Sequence, residues 1–363
     1  MVPRRFLAGR PSESDLVIHL INGSEIWVVG LDRPERIEGP PWDGCVITEI
    51  ANIKKDAWQA NIRPALSDRR GWAWLEGVPE GRNFYYHLDR QARAEAEAAI
   101  EEKRPAEWGA FWWKSGDILP PEEIEAARRD LDELTFQQEY EASFVNFTGR
   151  AYYPFDTRTH CASLEYDKRR HLILCFDFNV APGVAVICQE MKLPNGENGT
   201  GVIGEVWIPQ NSNTPAVCRK IAADWGKHEG LVFCHGDATG GARGTAKVSG
   251  SDWELIAKEL RPVFGERLRS RVPNENPRQR VRINAVNSRL KSSSGIIRLM
   301  VDPKAALHVV LDLEGVRLLE GGAGEIDKKI DPEATHMTDA LGYYIVREFP
   351  ITDQSRTMKV LSF

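Results

Sequence analysis

The sequence predicts an α/β protein in which a mixed sheet flanked by helices follows a smaller α/β segment. Three observations predict it. Apolar runs of strand length alternate with helical patterns along the chain. Three of the runs, Leu172 to Phe178, Val184 to Cys188 and Val202 to Ile208, follow one another with only turn residues between them, as antiparallel neighbours do. From Pro215 onward, helix and strand alternate, the order that brings parallel crossovers. The length of 363 residues suits two domains better than one.

The elements follow in order. Leu16 to Leu20 and Glu25 to Val29 are joined through Asn22-Gly23, a strong hairpin signal. Cys45 to Ile47 reads as a short buried strand ending in Thr48-Glu49, and Trp72 to Leu75 as another, ending in Gly77-Val78-Pro79-Glu80-Gly81. Asp89 to Arg104 is Ala/Glu/Arg-rich and helical with a solvated face. A second helix starts at Pro120-Pro121, where proline suits the first turn, and runs toward Phe144. Residues 146–165, opening NFTGRAYYPFDTRT, lose periodicity and read as a linker. After the three strands come a helix from Pro215 to Lys227 and a strand from Leu231 to Cys234. Ser251 and Glu254 then form a capping box that opens the next helix. A strand near Leu268 to Val272, a basic helix near Arg278 to Lys291, a helix from Pro303 and a last helix from Thr335 to Arg347 complete the chain. Three antiparallel strands followed by alternating helix and strand is the order of an RNase H-like fold.

Composition excludes several classes. No apolar run approaches the roughly 18 residues that span a bilayer, and MVPRRFLAGR holds too short an apolar segment for a signal peptide. A cytosolic protein with no membrane contact is expected. The six cysteines are scattered with no CxxC pair, which argues against a zinc ribbon and a disulfide framework. The formal charge is −6, so nucleic-acid contact must come from local basic patches. One such patch runs from Arg261 to Lys291, with nine basic residues against Glu266 and Glu275. It includes Arg278, Arg280, Arg282 and Arg289, and reads as a phosphate-binding stripe or, alternatively, a solvated helix face. Arg243 and Lys247 add phosphate contacts on a loop.

Three carboxylates carry the chemistry. Phosphodiester hydrolysis needs charge neutralised on the phosphate and an activated water, which two divalent ions ~3.5–4 Å apart provide. Asp and Glu oxygens suit Mg²⁺ or Mn²⁺. In an RNase H-like sheet one acid belongs on the first strand, one at the end of the fourth and one on a later helix. Asp177 interrupts the apolar run LILCFDF, with Asn179 on the same face; a turn-capping aspartate is the plainer alternative. Asp237 follows the strand LVFC within HGDATGG, beyond a carboxyl end where ligands gather in open α/β sheets. Asp339 lies in a helix start, one turn after His336 on the same face; His336 is given no catalytic role.

FDFN in an apolar strand, HGDATGGARG and THMTDALGYY, in that order and spacing, resemble the nuclease domain of the large terminase subunits of tailed phages. NPRQRVRINAVNSRLK is similar to that family's segment before its last acid. In the front half, VITEIANIKKDAWQANIRPALSDRRGWAWLEGVPEGRNFYY resembles the Walker B strand and coupling motif of the terminase ATPase, and LTFQQEYEASF its closing helix. The resemblance implies a partial P-loop-type ATPase domain over 1–145, an RNase H-like nuclease over 166–350 and a tail over 351–363. It implies a metal-dependent endonuclease cutting concatemeric double-stranded DNA, with Asp177, Asp237 and Asp339 as metal ligands. Double-stranded DNA, the portal protein, the small terminase subunit and further copies of the chain on the portal are the implied partners, in host cytosol at the viral procapsid.

The departures lie in the ATPase part. No GxxxxGK loop followed by Ser or Thr occurs, so the chain is expected to begin after the family's P-loop. Thr48 stands where the Walker B aspartate belongs, leaving Glu49, and Val78 replaces a Thr between Gly77, Pro79 and Gly81. ATP is therefore expected as a cofactor only if the P-loop is supplied elsewhere. Two other readings remain open: an ATPase-deficient or non-catalytic fragment that docks DNA, portal or small subunit, and another RNase H-like nuclease or resolvase.

Overall fold

Gly23 sits at φ +83°, a backbone state that glycine adopts without steric cost, and the chain reverses there. β1 (Val17–His19) thereby pairs antiparallel with β2 (Glu25–Trp27), with Val17 opposite Trp27. The computed structural model describes residues 2–12, 14–54, 56–81, 83–145, 149–178, 181–238, 251–319, 325–327 and 335–351. The chain forms two compact units, Met1–Ala110 and Phe111–Phe363.

In the first unit β3 (Gly44–Ile47) and β4 (Trp72–Leu75) pair in parallel. α1 (Arg63–Ser67) lies between them in sequence, and α2 (Phe84–Glu101) follows. α2 begins before the expected Asp89 because Asn83 caps it, accepting from the backbone N–H groups of Tyr85 and Tyr86. The core comprises Ile47, Ile50, Ala57, Trp58, Ile62 and Leu66.

The second unit opens with α3 (Pro121–Asp130) and α4 (Glu133–Tyr140), where the sequence predicts one continuous helix. The break is chemical. Asp132 takes an extended backbone and caps α4 through the Thr135 N–H. Its carboxylate also accepts from the Tyr153 hydroxyl at 2.6 Å, and its own N–H donates to Ser288 Oγ at 3.0 Å. Ala151, Tyr152 and Phe155, from the stretch expected as a linker over 146–165, are buried in this unit's core. The division between compact units falls instead at Ala110/Phe111.

β5 (Gly149–Arg150) and α5 (Thr157–His160) lead into the sheet strands β6 (Leu172–Asp177), β7 (Gly183–Lys192) and β8 (Asn198–Ile208). There follow α6 (Thr214–Trp225), β9 (Val232–Gly236), α7 (Asp252–Phe264), β10 (Leu268–Ser270), α8 (Gln279–Leu290) and β11 (Leu299–Val301). α9 (Leu307–Gly315), β12 (Arg317–Leu318) and α10 (His336–Glu348) end the described order. The mixed sheet runs β10-β9-β6-β7-β8-β11. β6, β7 and β8 are antiparallel neighbours, whereas β9 is parallel to β6, β10 to β9 and β11 to β8.

β6 is buried on both faces, which is why it reads as an unbroken apolar run. Ile173 and Cys175 pack with α8, α9 and α10, while Leu172, Leu174 and Phe176 pack with α6 and α7. The capping box of Ser251 and Glu254 opens α7, each side chain bonded to the other's backbone N–H. α9 starts later than Pro303 because Asp302 holds a turn there, accepting from the N–H groups of Lys304 and Ala305. All six cysteines are free. No helix among the described residues is long and apolar enough to cross a membrane. Residues 352–363 of the expected tail lie outside the described residues.

Asp132→Ala removes a helix cap and leaves the Tyr153 hydroxyl without its acceptor. It is expected to lower unfolding free energy by about 1–2 kcal/mol. Denaturant unfolding followed by fluorescence checks this, and an unchanged midpoint would return Asp132 to a passive role.

Candidate functional site

Because β6 and β9 run parallel and adjacent, their carboxyl ends arrive at the same edge of the sheet. Asp177 is the last residue of β6, and Asp237 follows Gly236 at the end of β9. Position 236 needs glycine: a Cβ there would stand 2.6 Å from the Phe176 carbonyl oxygen and 3.1 Å from the Trp253 ring. The Trp253 indole N–H donates to the Asp237 carbonyl at 2.9 Å. The Asp237 carboxylate accepts from Asn276 Nδ2 at 2.6 Å, and Asn276 Oδ1 accepts from the Ala238 N–H at 2.8 Å.

α10 supplies the third acid in its first turn. Arg282 Nη1 of α8 stands 3.0 Å from Asp339 Oδ1, and its guanidinium lies 4.3 Å from the centre of the Tyr343 ring. His336, one turn earlier, places Nδ1 2.9 Å from Asp177 Oδ2. Burial opposes protonation of this imidazole, but the Asp177 bond and the charges of Asp177, Asp312 and Asp339 outweigh it and raise its pKa. These four side chains are between 11% and 16% exposed, so they form a shielded rim, where ion pairs are screened less than on an open surface.

All three carboxylates act on one group. The Tyr343 hydroxyl has its pKa raised first by burial; Arg282 opposes the rise, and Asp237, Asp177 and Asp339 add to it. The three acids thus share one electrostatic neighbourhood. They do not form one coordination set: among the described residues no three His, Cys, Asp or Glu side chains come close enough to hold a metal ion. Asp237 is engaged by Asn276, Asp339 by Arg282 and Asp177 by His336.

The basic stripe is not a solvent-facing row. Eight of the twelve residues of α8 are buried, so most of its charges need partners inside the protein. Arg278 is exposed at the start of the helix. Arg280 donates to Gln138 of α4, and Arg282 turns to Asp339. Arg289 is 8% exposed, pairs with Glu190 at 3.1 Å and stacks 3.7 Å from the centre of the Phe349 ring. Arg243, Lys247 and Asn179 lie outside the described residues.

Sequence reasoning missed Asn276 and Asp312. Asp312 of α9 caps α10 from another helix, accepting from the backbone N–H groups of Met337 at 2.9 Å and Thr338 at 3.3 Å. The signal was present: Asp312 interrupts the apolar stretch LHVVLDLEG. In the first unit, Glu49 follows β3 at φ 54°, and a Cβ at Gly77, after β4, would stand 3.1 Å from the Ile50 nitrogen. Pro79 is buried and Gly81 sits at φ +60°.

No family model matches the chain. The large terminase subunit of Thermus phage G20c is 28% identical over 155 residues, covering 40% of this chain and 31% of that protein. That of Escherichia phage T5 is 25% identical over 160 residues, covering 43% of this chain and 35% of that one. The relatives are phage large terminases. The match spans about a third of the length of these curated terminases. A solved large terminase from a thermophilic bacteriophage aligns with 93% of this chain and 78% of its own, at a TM-score of 0.59 and 14% identity. At that identity the likeness shows the large-terminase fold alone.

Burial pushes the Asp312 carboxyl up from 3.8 to about 7, against the pull of the Thr338 and Met337 N–H groups. A folded-state pKa raised in this way gives stability that is present below about 3.8 and lost as pH climbs through about 7. The melting temperature of Asp312→Asn, relative to the parent, is therefore expected to rise between pH 4 and 7 and to level off above. A difference that stays flat across that window would show a carboxyl ionised throughout.

Proposed function

We propose that this chain is the nuclease-bearing part of a phage large terminase, an endonuclease that cuts concatemeric double-stranded DNA during packaging. The carrying observation is that parallel β6 and β9 bring Asp177 and Asp237 to one edge of the sheet, where His336 of α10, one turn before Asp339, lies 2.9 Å from Asp177. The donor set suits Mg²⁺ or Mn²⁺, since it is built of carboxylates with no thiolate beside them. Positive charge already stands at two of the three acids, in Arg282 and in His336 when protonated.

Asp177, Asp237 and Asp339 would hold the ions. Ions held there would supply charge to neutralise the scissile phosphate and would lower the pKa of an attacking water. The chain's own groups prepare the site. Asn276 and Trp253 fix Asp237, and Asp312 fixes the turn that carries Asp339. To hold ions, Asp177 would have to give up His336 and Asp339 give up Arg282, and the guanidinium would then stand beside the site as a cation for phosphate oxygens. Double-stranded DNA, the portal, the small terminase subunit and further copies of the chain are the proposed partners. ATP hydrolysis is proposed only together with a P-loop supplied elsewhere. The pairing of Asp177 and Asp339 with internal cations favours one second reading, a terminase subunit that docks DNA or portal without cutting.

Plasmid cleavage against Mn²⁺ or Mg²⁺ concentration separates the two. Cleavage by the parent is expected, with Asp177→Asn slower by about a hundredfold or more, the scale of losing a group that stabilises developing charge. A variant as fast as the parent would sink the assignment. Arg282→Gln removes the cation competing for Asp339, so Mn²⁺ is expected to bind this variant more tightly than the parent by calorimetry. Equal or weaker binding would show that Arg282 does not compete.

A further inference from the structure

The positive charge expected along α8 is largely internal, yet a strand held at Asp177 and Asp237 needs a grip. Phe233 and His235 of β9 point to the α10 side of the sheet: the His235 ring lies 5.0 Å from that of Tyr344, and Asp237 follows two residues later. A two-residue step along a strand is ~6.5 Å. The surface beside Phe233 and His235 extends from there toward the amino end of β6, where Arg170 stands seven residues before Asp177, so a ligand strand held at the carboxylates would run ~23 Å along the sheet to meet all of it.

That surface is a pocket of about 450 Å³, lined in part by Arg169, Arg170, Phe233, His235 and Arg271. We infer that it is a phosphate subsite for the nucleic-acid strand flanking the cleavage point. The inference rests on the nuclease reading for its choice of ligand. Arg169 and Arg170 precede β6 and Arg271 follows β10, so two separate chain segments bring three charges to one pocket. Their side chains are 82%, 48% and 49% exposed. Their ion pairs are loose, at 3.9 Å to Glu229, 3.5 Å to Asp167 and 3.7 Å to Glu348, beyond good hydrogen-bond length.

The acids of the pocket offset this charge only in part. Glu190 is committed to Arg289 and to the Tyr344 hydroxyl, which leaves Glu348 beside Arg271. A second observation is independent of charge. His235 is 2% exposed, and its Nδ1 has no hydrogen-bond partner among the described residues. Buried polar atoms are rarely left so, and because this one is closed to the surface a buried water, not the ligand itself, would satisfy it. Phe233, with the Arg271 guanidinium 5.0 Å from its ring centre, offers a stacking face for the attached base.

The experiment uses the full chain without divalent metal, a fluorescein-labelled duplex and anisotropy titrations at several salt concentrations. Arg170→Ala with Arg271→Ala is expected to flatten the slope of log affinity against log salt by about two, roughly one per lost phosphate contact. Arg170→Lys with Arg271→Lys keeps the charge and should hold the parent's slope. Arg169→Glu, at the most exposed of the three positions, should weaken binding should the double variant fold poorly. Slopes and affinities that match the parent in all variants would overturn the inference. Titration with dAMP tests the other source of the same chemistry: competition by dAMP, with the duplex slope unaffected by substitution, would make the pocket a free-nucleotide site and overturn the strand path. A parent that cleaves plasmid while the variants bind like it sinks the subsite alone. A parent that binds duplex through these arginines but cuts nothing with Mn²⁺ sinks the nuclease reading and leaves the subsite standing.

Discussion

The parallel pairing of β6 with β9 is the constraint on which the site depends. It sets Leu172 against Val232 and Phe176 against Gly236, so both strands finish together and deliver Asp177 and Asp237 to one edge. The same pairing builds the surface that receives α10, whose Met337, Leu341 and Tyr344 pack with Ile173 and Cys175. Were β9 displaced by one residue, its side chains would exchange faces and Asp237 would leave the site. Gly236 protects the register, since any larger residue would press on the Phe176 carbonyl of the neighbouring strand.

The charged groups around this edge act as orienting bonds between elements. Arg282 with Asp339 joins α8 to α10, His336 with Asp177 joins α10 to β6, and Arg289 with Glu190 joins α8 to β7. Partly buried ion pairs gain little net stability, because desolvation offsets most of the attraction. Their contribution is direction: each fixes a rotamer that packing alone would leave open. Gly342 helps, since its missing side chain lets α10 approach the Arg282 stem closely.

What was legible in the sequence was local or periodic. Asn22-Gly23 specifies its hairpin through backbone geometry, Ser251 and Glu254 specify a helix start through a three-residue spacing, and LILCF specifies a strand buried on both faces. Strand-end position alone was enough to bring Asp177 and Asp237 to one edge. What was not legible depends on distant partners. Asp132 breaks a helix because Ser288 and Tyr153 meet it, 156 and 21 residues away. Arg282 and Arg289 look like solvated helix charges until Asp339 and Glu190 are in place. Tyr152 and Phe155 sit in a stretch without periodicity, yet they are core residues, so loss of pattern there did not mean loss of packing.

The Asp312 cap ties two helices that are separate in sequence. Met337 and Thr338 owe their backbone bonds to a side chain of α9, so the first turn of α10 has no complete lateral support of its own. Drift at position 312 would therefore alter the aim of Asp339 without touching it. Whatever path the chain takes between α9 and α10, it has to keep this one carboxylate over the same two amides.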